Sequence, residues 1–165
     1  MGRRLALRSS SAEDTRAIAA AVAQSLFPGD VVALSGDLGA GKTCFVQGAA
    51  AALGVAERVT SPSFVLVREY QGTVPILHLD VYRLNNLQEL TDLGYEEFLD
   101  PGWVVFIEWG NAIGPLLPTG YLEVLVRAEG EDARRIELHA RGGTWDRRLG
   151  NLFGDLTQWL AKGGA

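Results

Sequence analysis

Apolar positions change their period several times along this chain, and each change predicts an element. Ile18, Val22 and Leu26 recur at every fourth residue, as on one face of a helix. Ser10 followed three positions later by Glu13 forms a capping-box pattern. The spacing predicts a helix from there to about Leu26, ended by Phe27-Pro28-Gly29-Asp30. Val31 to Ser35 is a short continuous apolar run, the pattern of a strand buried on both faces. A glycine-rich turn follows, and then Phe45, Ala49, Ala52 and Leu53 mark a second helix closed by Gly54.

Further on, strand patterns dominate. Phe64 to Tyr70 and Ile76 to Asp80 are rich in β-branched, aromatic and aliphatic residues and flank the turn Gln71-Gly72-Thr73. That connection is too short for a crossover helix, so the pair reads as an antiparallel hairpin. Leu87 to Leu99 is acidic with spaced apolar residues, a pattern of one or two short helices. Trp103 to Glu108 is the most hydrophobic strand and should be central. Tyr121 to Arg127 and Arg135 to Arg141 form a second hairpin around Gly130-Glu131-Asp132. Leu149, Leu152, Phe153, Leu156 and Leu160 outline a C-terminal amphipathic helix. Two hairpins attached to a strand–helix unit imply an α/β protein, a three-layer fold with a mixed sheet.

Composition narrows the function. The chain has 165 residues, near the roughly 150 expected of one domain, and shows no repeat or low-complexity linker. Its 15 basic and 20 acidic residues leave a net charge of −5, and the arginines form pairs such as Arg134-Arg135 and Arg147-Arg148 rather than a run. Such a chain is a poor candidate for gripping nucleic acid unaided. One cysteine and two histidines exclude an internal disulfide and a Cys2His2-type zinc site. The start lacks the apolar run of a signal peptide and the hydroxyl of a myristoylation motif, and no stretch approaches the roughly 18 apolar residues of a membrane span. A reducing cytoplasm is expected.

The chemistry lies in Gly36-Asp37-Leu38-Gly39-Ala40-Gly41-Lys42-Thr43, which matches the phosphate-binding pattern G-x-x-x-x-G-K-[ST]. Glycines let the backbone approach phosphates closely, and successive N–H groups form an anion nest at a helix N-terminus. Lys42 can reach the β- and γ-phosphates, and Thr43 offers an oxygen to a bridging Mg²⁺. The motif sits between a buried-type strand and a helix, the context it requires. A metal–nucleotide site wants a further acid at a strand end, and two are available, Asp80 and Glu108; spacing does not choose between them. His78 reads as a hydrogen-bonded sheet residue rather than a base, and Cys44 as a small packed residue rather than a nucleophile. The chain has no Asn-Lys-x-Asp segment for guanine, since its only lysines are Lys42 and Lys162, so ATP is favoured over GTP.

The phosphate loop, Thr60-Ser61-Pro62-Ser63-Phe64, Leu79-Asp80-Val81-Tyr82-Arg83-Leu84 and Ile107-Glu108-Trp109 together resemble the TsaE (YjeE) family, in order and spacing, from about Ser10 to Arg141. The resemblance implies one P-loop ATPase domain over residues 1–165, required for threonylcarbamoyladenosine modification of tRNA. It implies TsaD and TsaB as protein partners, whose complex turns over with ATP hydrolysis, and tRNA as an indirect partner. By the same resemblance Thr43 and Glu108 serve Mg²⁺, Asp80 is a second functional carboxylate near the γ-phosphate, and Trp109 is needed for function. The Thr-Ser-Pro-Ser stretch acts like a switch, and a hydroxyl at Ser10 or Ser11, with Ser11 preferred, lies near the nucleotide. Asp37, Leu38, Gly39, Ala40, Gly41 and Lys42 cradle its phosphates. Two positions depart from the usual pattern: Ser63, where Thr is common, and Cys44, where Thr or Ser is common. Other functions compatible with the loop are a small-molecule kinase and a binding module that senses ATP without turnover.

Overall fold

A computed structural model of the protein describes residues 2–37, 39–61, 67–81, 92, 94, 101–108, 114 and 117–162. Among them run strands β1 (Arg4–Ser9), β2 (Val31–Gly36), β3 (Val67–Gln71), β4 (Pro75–Asp80), β5 (Val104–Glu108), β6 (Tyr121–Ala128) and β7 (Arg134–Arg141). The α-helices are α1 (Ala12–Ala23), α2 (Lys42–Ala52) and α3 (Trp145–Leu156), the last continued by a 3-10 turn at Thr157–Trp159. The strands form one mixed sheet in the order β1-β7-β6-β2-β5-β4-β3. β6, β2, β5 and β4 are mutually parallel, whereas β1–β7, β6–β7 and β3–β4 pair antiparallel. Both predicted hairpins are present, and the fold is the expected α/β one.

The position of β2 follows from its composition. Val31 through Ser35 are all buried, because side chains on alternate faces enter different cores. Val32 and Leu34 join the cluster beneath α1 and α2 with Phe45, Val46, Val124 and Leu138; Val31 joins Leu77, Leu79, Val105 and Ile107 on the other side. At about 25 cal/mol per Å² of apolar surface removed from water, filling both faces is what holds a parallel strand in the middle of a sheet. Gly48 sets the close approach of α1 and α2: a Cβ there would lie 2.4 Å from the Arg16 carbonyl oxygen.

Several expectations shift. An N-terminal edge strand, β1, was not predicted. The cap of α1 is Ser11, whose hydroxyl accepts from the Asp14 N–H at 3.0 Å, while the Asp14 carboxylate accepts from the Ser10 N–H at 2.9 Å. The Ser10–Glu13 pairing is thus displaced by one residue, and α1 ends at Ala23 with buried Leu26 beyond it. In α3 the core stripe is Trp145, Leu149, Leu152 and Leu156. Phe153 is instead 36% exposed, and Leu160 lies past the helix, bridged to Leu7 of β1. β5 is interior but not central; that place belongs to β2. The expected strand from Phe64 is described only from Val67 onward, and the expected helices over Leu87–Leu99 fall outside the described residues except at Asp92 and Gly94.

Candidate functional site: a phosphate loop facing two strand-end carboxylates

Parallel order places the site. β2, β5 and β4 lie side by side with their C-terminal ends aligned, so Leu34 pairs with Glu108 and Glu108 pairs with Asp80. Strand ends of this kind form the crevice in which open α/β sheets bind ligands. The loop leaving β2 turns there into α2. Its close passage over β6 depends on Gly36, where a Cβ would meet the Val126 carbonyl oxygen at 2.1 Å. Gly41, the N-cap of α2, has φ of 114°, a conformation that strains any residue with a side chain. The first-turn N–H groups of α2 thereby open toward the crevice.

Lys42 is 4% exposed. Its Nζ donates to the carbonyl oxygens of Gly36 at 2.8 Å and Asp37 at 2.9 Å. Burial pulls its pKa below the ordinary lysine value, and the carboxylates of Glu108, Asp80 and Asp37 oppose that shift. The next residue, Thr43, donates its hydroxyl to Glu108, at 3.0 Å to Oε2 and 3.2 Å to Oε1. Ser61 reaches Asp80 Oδ2 at 3.5 Å. Gly39, Gly41, Lys42, Thr43, Cys44, Ser61, Asp80 and Glu108 line one pocket of about 280 Å³.

Beneath Glu108 lies His78, fully buried, with Nε2 2.5 Å from Glu108 Oε2. One hydrogen joins Nε2 to this carboxylate oxygen. Nδ1 has no hydrogen-bond partner among the described residues. The histidine therefore belongs to the sheet, as its pattern predicted, and it also fixes the side chain of a site carboxylate. On the loop's other flank, Arg134 donates from Nε to the Ala40 carbonyl at 2.8 Å and from Nη1 to the carbonyls of Gly130, Glu131 and Ala133. It ties the phosphate loop to the β6–β7 turn.

The donor set is hard oxygen: a threonine hydroxyl and one or two carboxylates. No group of three or more His, Cys, Asp or Glu gathers among the described residues. That suits Mg²⁺, which keeps waters and shares its shell with substrate phosphates, better than an ion held in an all-protein cage.

Comparison with known proteins converges on one family. The family model described as threonylcarbamoyl adenosine biosynthesis protein TsaE matches residues 9–136. The chain belongs to the TsaE family. Membership assigns it to threonylcarbamoyladenosine biosynthesis, the process its family is named for. The TsaE protein of Bacillus subtilis is 39% identical over 145 residues, covering 87% of this chain and 90% of that protein. The Treponema pallidum TsaE is 41% identical over 128 residues, covering 78% and 95%. The crystal structure of Bacillus YdiB superposes with a TM-score of 0.78 at 36% identity, covering 96% of this chain and 97% of that one.

Within this TsaE fold, Asp37, Gly39, Ala40, Gly41, Lys42, Thr43, Asp80 and Glu108 gather at the end of the parallel strands. Asp37 takes part through its carbonyl, and Ala40 is buried with its carbonyl on Arg134. Ser11 is engaged as the α1 cap and does not line this pocket; its helix neighbours Ala12 and Thr15 line a smaller one of about 120 Å³ beside Gly41, Cys44 and Arg134. Leu38 and Trp109 lie outside the described residues. Sequence reasoning missed Arg134. It is 94 residues from the carbonyl it holds, and its only local signal was an arginine opening a strand after a turn. No helix among the described residues is long and apolar enough to cross a membrane.

Proposed function

We propose that this TsaE-family chain is a Mg²⁺-dependent ATPase, one domain over residues 1–165, that works in the cytoplasm on a TsaD–TsaB complex in tRNA modification. The observation that carries the reading is the Thr43–Glu108 contact at the foot of a phosphate loop whose lysine is already aimed into the same pocket. Backbone N–H groups at the start of α2 receive the phosphate oxygens. Lys42 exchanges its two carbonyl partners for the β- and γ-phosphates. Thr43 and Glu108 would together hold Mg²⁺, and the ion would supply charge neutralisation for the phosphates there. Asp80, one strand further out and beside Ser61, is left to orient the attacking water. Trp109 is expected to be needed for the coupled reaction rather than for nucleotide binding. The free thiol of Cys44 suits the reducing compartment in which such a pathway runs.

Among the described residues Arg134 is the arginine that touches the loop, and its guanidinium is occupied by backbone carbonyls. An arginine supplied by a partner is worth about 10³ or more in rate, so the isolated protein should hydrolyse ATP slowly and the partner complex should raise the rate. Titrating ATP into the purified chain with and without Mg²⁺, then measuring phosphate release with TsaD and TsaB added, tests the reading. Metal-dependent binding and partner-stimulated release support it. Transfer of the γ-phosphate to a metabolite would make the chain a kinase, and tight binding with no release in any mixture would make it a nucleotide sensor.

A further inference from the structure

Ser61 reaches the phosphate pocket on a segment that has no main-chain support of its own. Residues 56–61 follow α2 and lie in neither helix nor strand. Among the described residues they make no hydrogen bond to another backbone group. Three side-chain bonds hold them instead. Gln47 Nε2 donates to the Val59 carbonyl at 2.8 Å, Tyr70 Oη accepts from the Thr60 N–H at 3.4 Å, and the Ser61 hydroxyl donates to Asp80 Oδ2 at 3.5 Å. The Gln47 bond is the short one, and the other two lie at the outer limit of hydrogen bonding. Neighbours fix which way the Gln47 amide faces. Its Oε1 lies 3.3 Å from Arg16 Nη2 and 3.4 Å from Arg16 Nε. A guanidinium only donates, so Nε2 is left for the Val59 carbonyl, which only accepts. Val59 itself is 3% exposed and packs in the core that α1 and α2 cover. Burial sets the depth of the segment, and the amide sets how its carbonyl turns. Gln47 stands four residues after Thr43 on α2, so both lie on one face of the helix. That face presents a hydroxyl to Glu108 and an amide to the segment carrying Ser61.

We propose that Gln47 is a positioning residue for hydrolysis, holding the Ser61 hydroxyl against Asp80 by way of the Val59 carbonyl. The inference rests on the ATPase reading and on the place of Asp80 in it. Ser61 is two residues from Val59, a span of about 7 Å in extended chain, so a turn of that carbonyl is passed on to Ser61. The Ser61–Asp80 contact has no slack at 3.5 Å, and a displacement of about half an ångström breaks it. Asp80 then loses that donor, and its carboxylate is less well aimed at the attacking water. Nucleotide binding draws on other groups. Gln47 lines a cleft with Arg16, Val55 and Arg58 and takes no part in lining the phosphate pocket. Its loss therefore acts on turnover and leaves the hold on nucleotide alone.

The test compares wild type, Q47E and R16E/Q47K as complete chains. It measures phosphate release with TsaD–TsaB present, affinity for ADP with Mg²⁺ by calorimetry, melting temperature, and amide hydrogen exchange over residues 55–61. Q47E keeps the contact with Arg16 but has no donor for the Val59 carbonyl. Its kcat should fall about three- to tenfold, the scale of one hydrogen bond, while affinity and melting temperature stay near wild type. Exchange should quicken over residues 55–61 and not elsewhere. R16E/Q47K restores a donor at position 47 and an acceptor at position 16, and should recover most of the lost rate. Wild-type kcat in Q47E would overturn the proposal. So would a joint fall of kcat, affinity and melting temperature, which is the mark of packing, or a folded R16E/Q47K no faster than Q47E. Failure of the ATPase reading looks different: wild type itself would then release no phosphate in any mixture, and the proposal would fall with it.

Discussion

The two halves of the sheet are built on different rules. In β2, β4 and β5 neighbouring residues are buried alternately into two cores, and all five residues of β5 are buried. In β6 and β7 only every second residue is fully buried, and the alternates are mostly charged or polar. The doubly covered half carries the candidate site. Rigid strands packed on both sides hold Glu108 and Asp80 at adjacent ends, with His78 fixing Glu108 from below. The other half supplies a support for the phosphate loop, through Gly36 against Val126 and Arg134 against Ala40. The candidate site thus sits at the end of strands that are buried on both sides.

Truncation along single strands is the strongest way to break this contrast. Phe106 and Ile107 are neighbours in β5 that enter opposite cores. Phe106→Ala should cost about 3–5 kcal/mol and Ile107→Ala about 2–5 kcal/mol. In β1 the same adjacent pairing should split: Leu7→Ala costs about 2–5 kcal/mol, while Arg8→Ala stays within about 0.5 kcal/mol. Urea unfolding midpoints on the four variants decide it. A neutral Ile107→Ala would mean that the second face of β5 carries no core.

Substitutions at the site should cost less in stability and more in function. Lys42→Ala removes the phosphate cation and should lower ATP turnover about 10²- to 10³-fold, the scale of losing one preorganised electrostatic contact. Phosphate release at the wild-type rate would remove Lys42 from the site. Glu108→Gln and Asp80→Asn should then separate the two acids. Glu108→Gln should raise the Mg²⁺ concentration needed for nucleotide binding about tenfold. Asp80→Asn should leave binding nearly intact and slow release. His78→Gln, which can still donate to Glu108, should shift the Mg²⁺ requirement less than His78→Phe, which cannot. Magnesium titrations of all four by calorimetry sharpen the comparison, and the reverse pattern for the two acids would exchange their roles.

The legible parts of the molecule are those in which one local signal suffices. The continuous run of β2, the alternation of β6 and β7, and the glycine spacing of the phosphate loop each state their own structure. β1 carried its signal too, since Leu5 and Leu7 alternate with arginines; a short polar start simply lacks a partner until β7 is placed beside it. Ser10–Glu13 and Ser11–Asp14 offer the same spacing one residue apart. The end of β1 at Ser9, whose hydroxyl meets Thr15 at 2.7 Å, accompanies the second choice. Phe153 has helical spacing from Leu149, but Trp145 places the buried stripe one step around. Strand order was the information no local pattern could hold. Asp80 and Glu108 end nearly identical runs, and only the order β2-β5-β4 sets Glu108 against Thr43 and Asp80 a strand away.

Cys44 sits on the seam between the two halves, lining both the phosphate pocket and the smaller pocket beside Arg134, and it should show the smallest effect. Its Sγ lies 3.5 Å from the Ala12 carbonyl oxygen. Burial pushes the thiol pKa up, and the opposing pull of the Arg16 and Arg134 guanidinium groups does not reverse it. A raised pKa means less thiolate at any pH below it, and thiolate is the reacting form. Alkylation by iodoacetamide at about pH 8 should therefore run several-fold slower than for cysteine in an unfolded peptide. It should rise with pH beyond the ordinary thiol range and slow further when nucleotide fills the pocket. Cys44→Ser keeps a small polar group, so its melting temperature and ATP turnover should stay close to wild type. The measurement is a rate series from about pH 7 to 10 with and without ADP. Faster alkylation than the peptide would mark an activated thiol, and the seam would then join the chemistry of the doubly covered half.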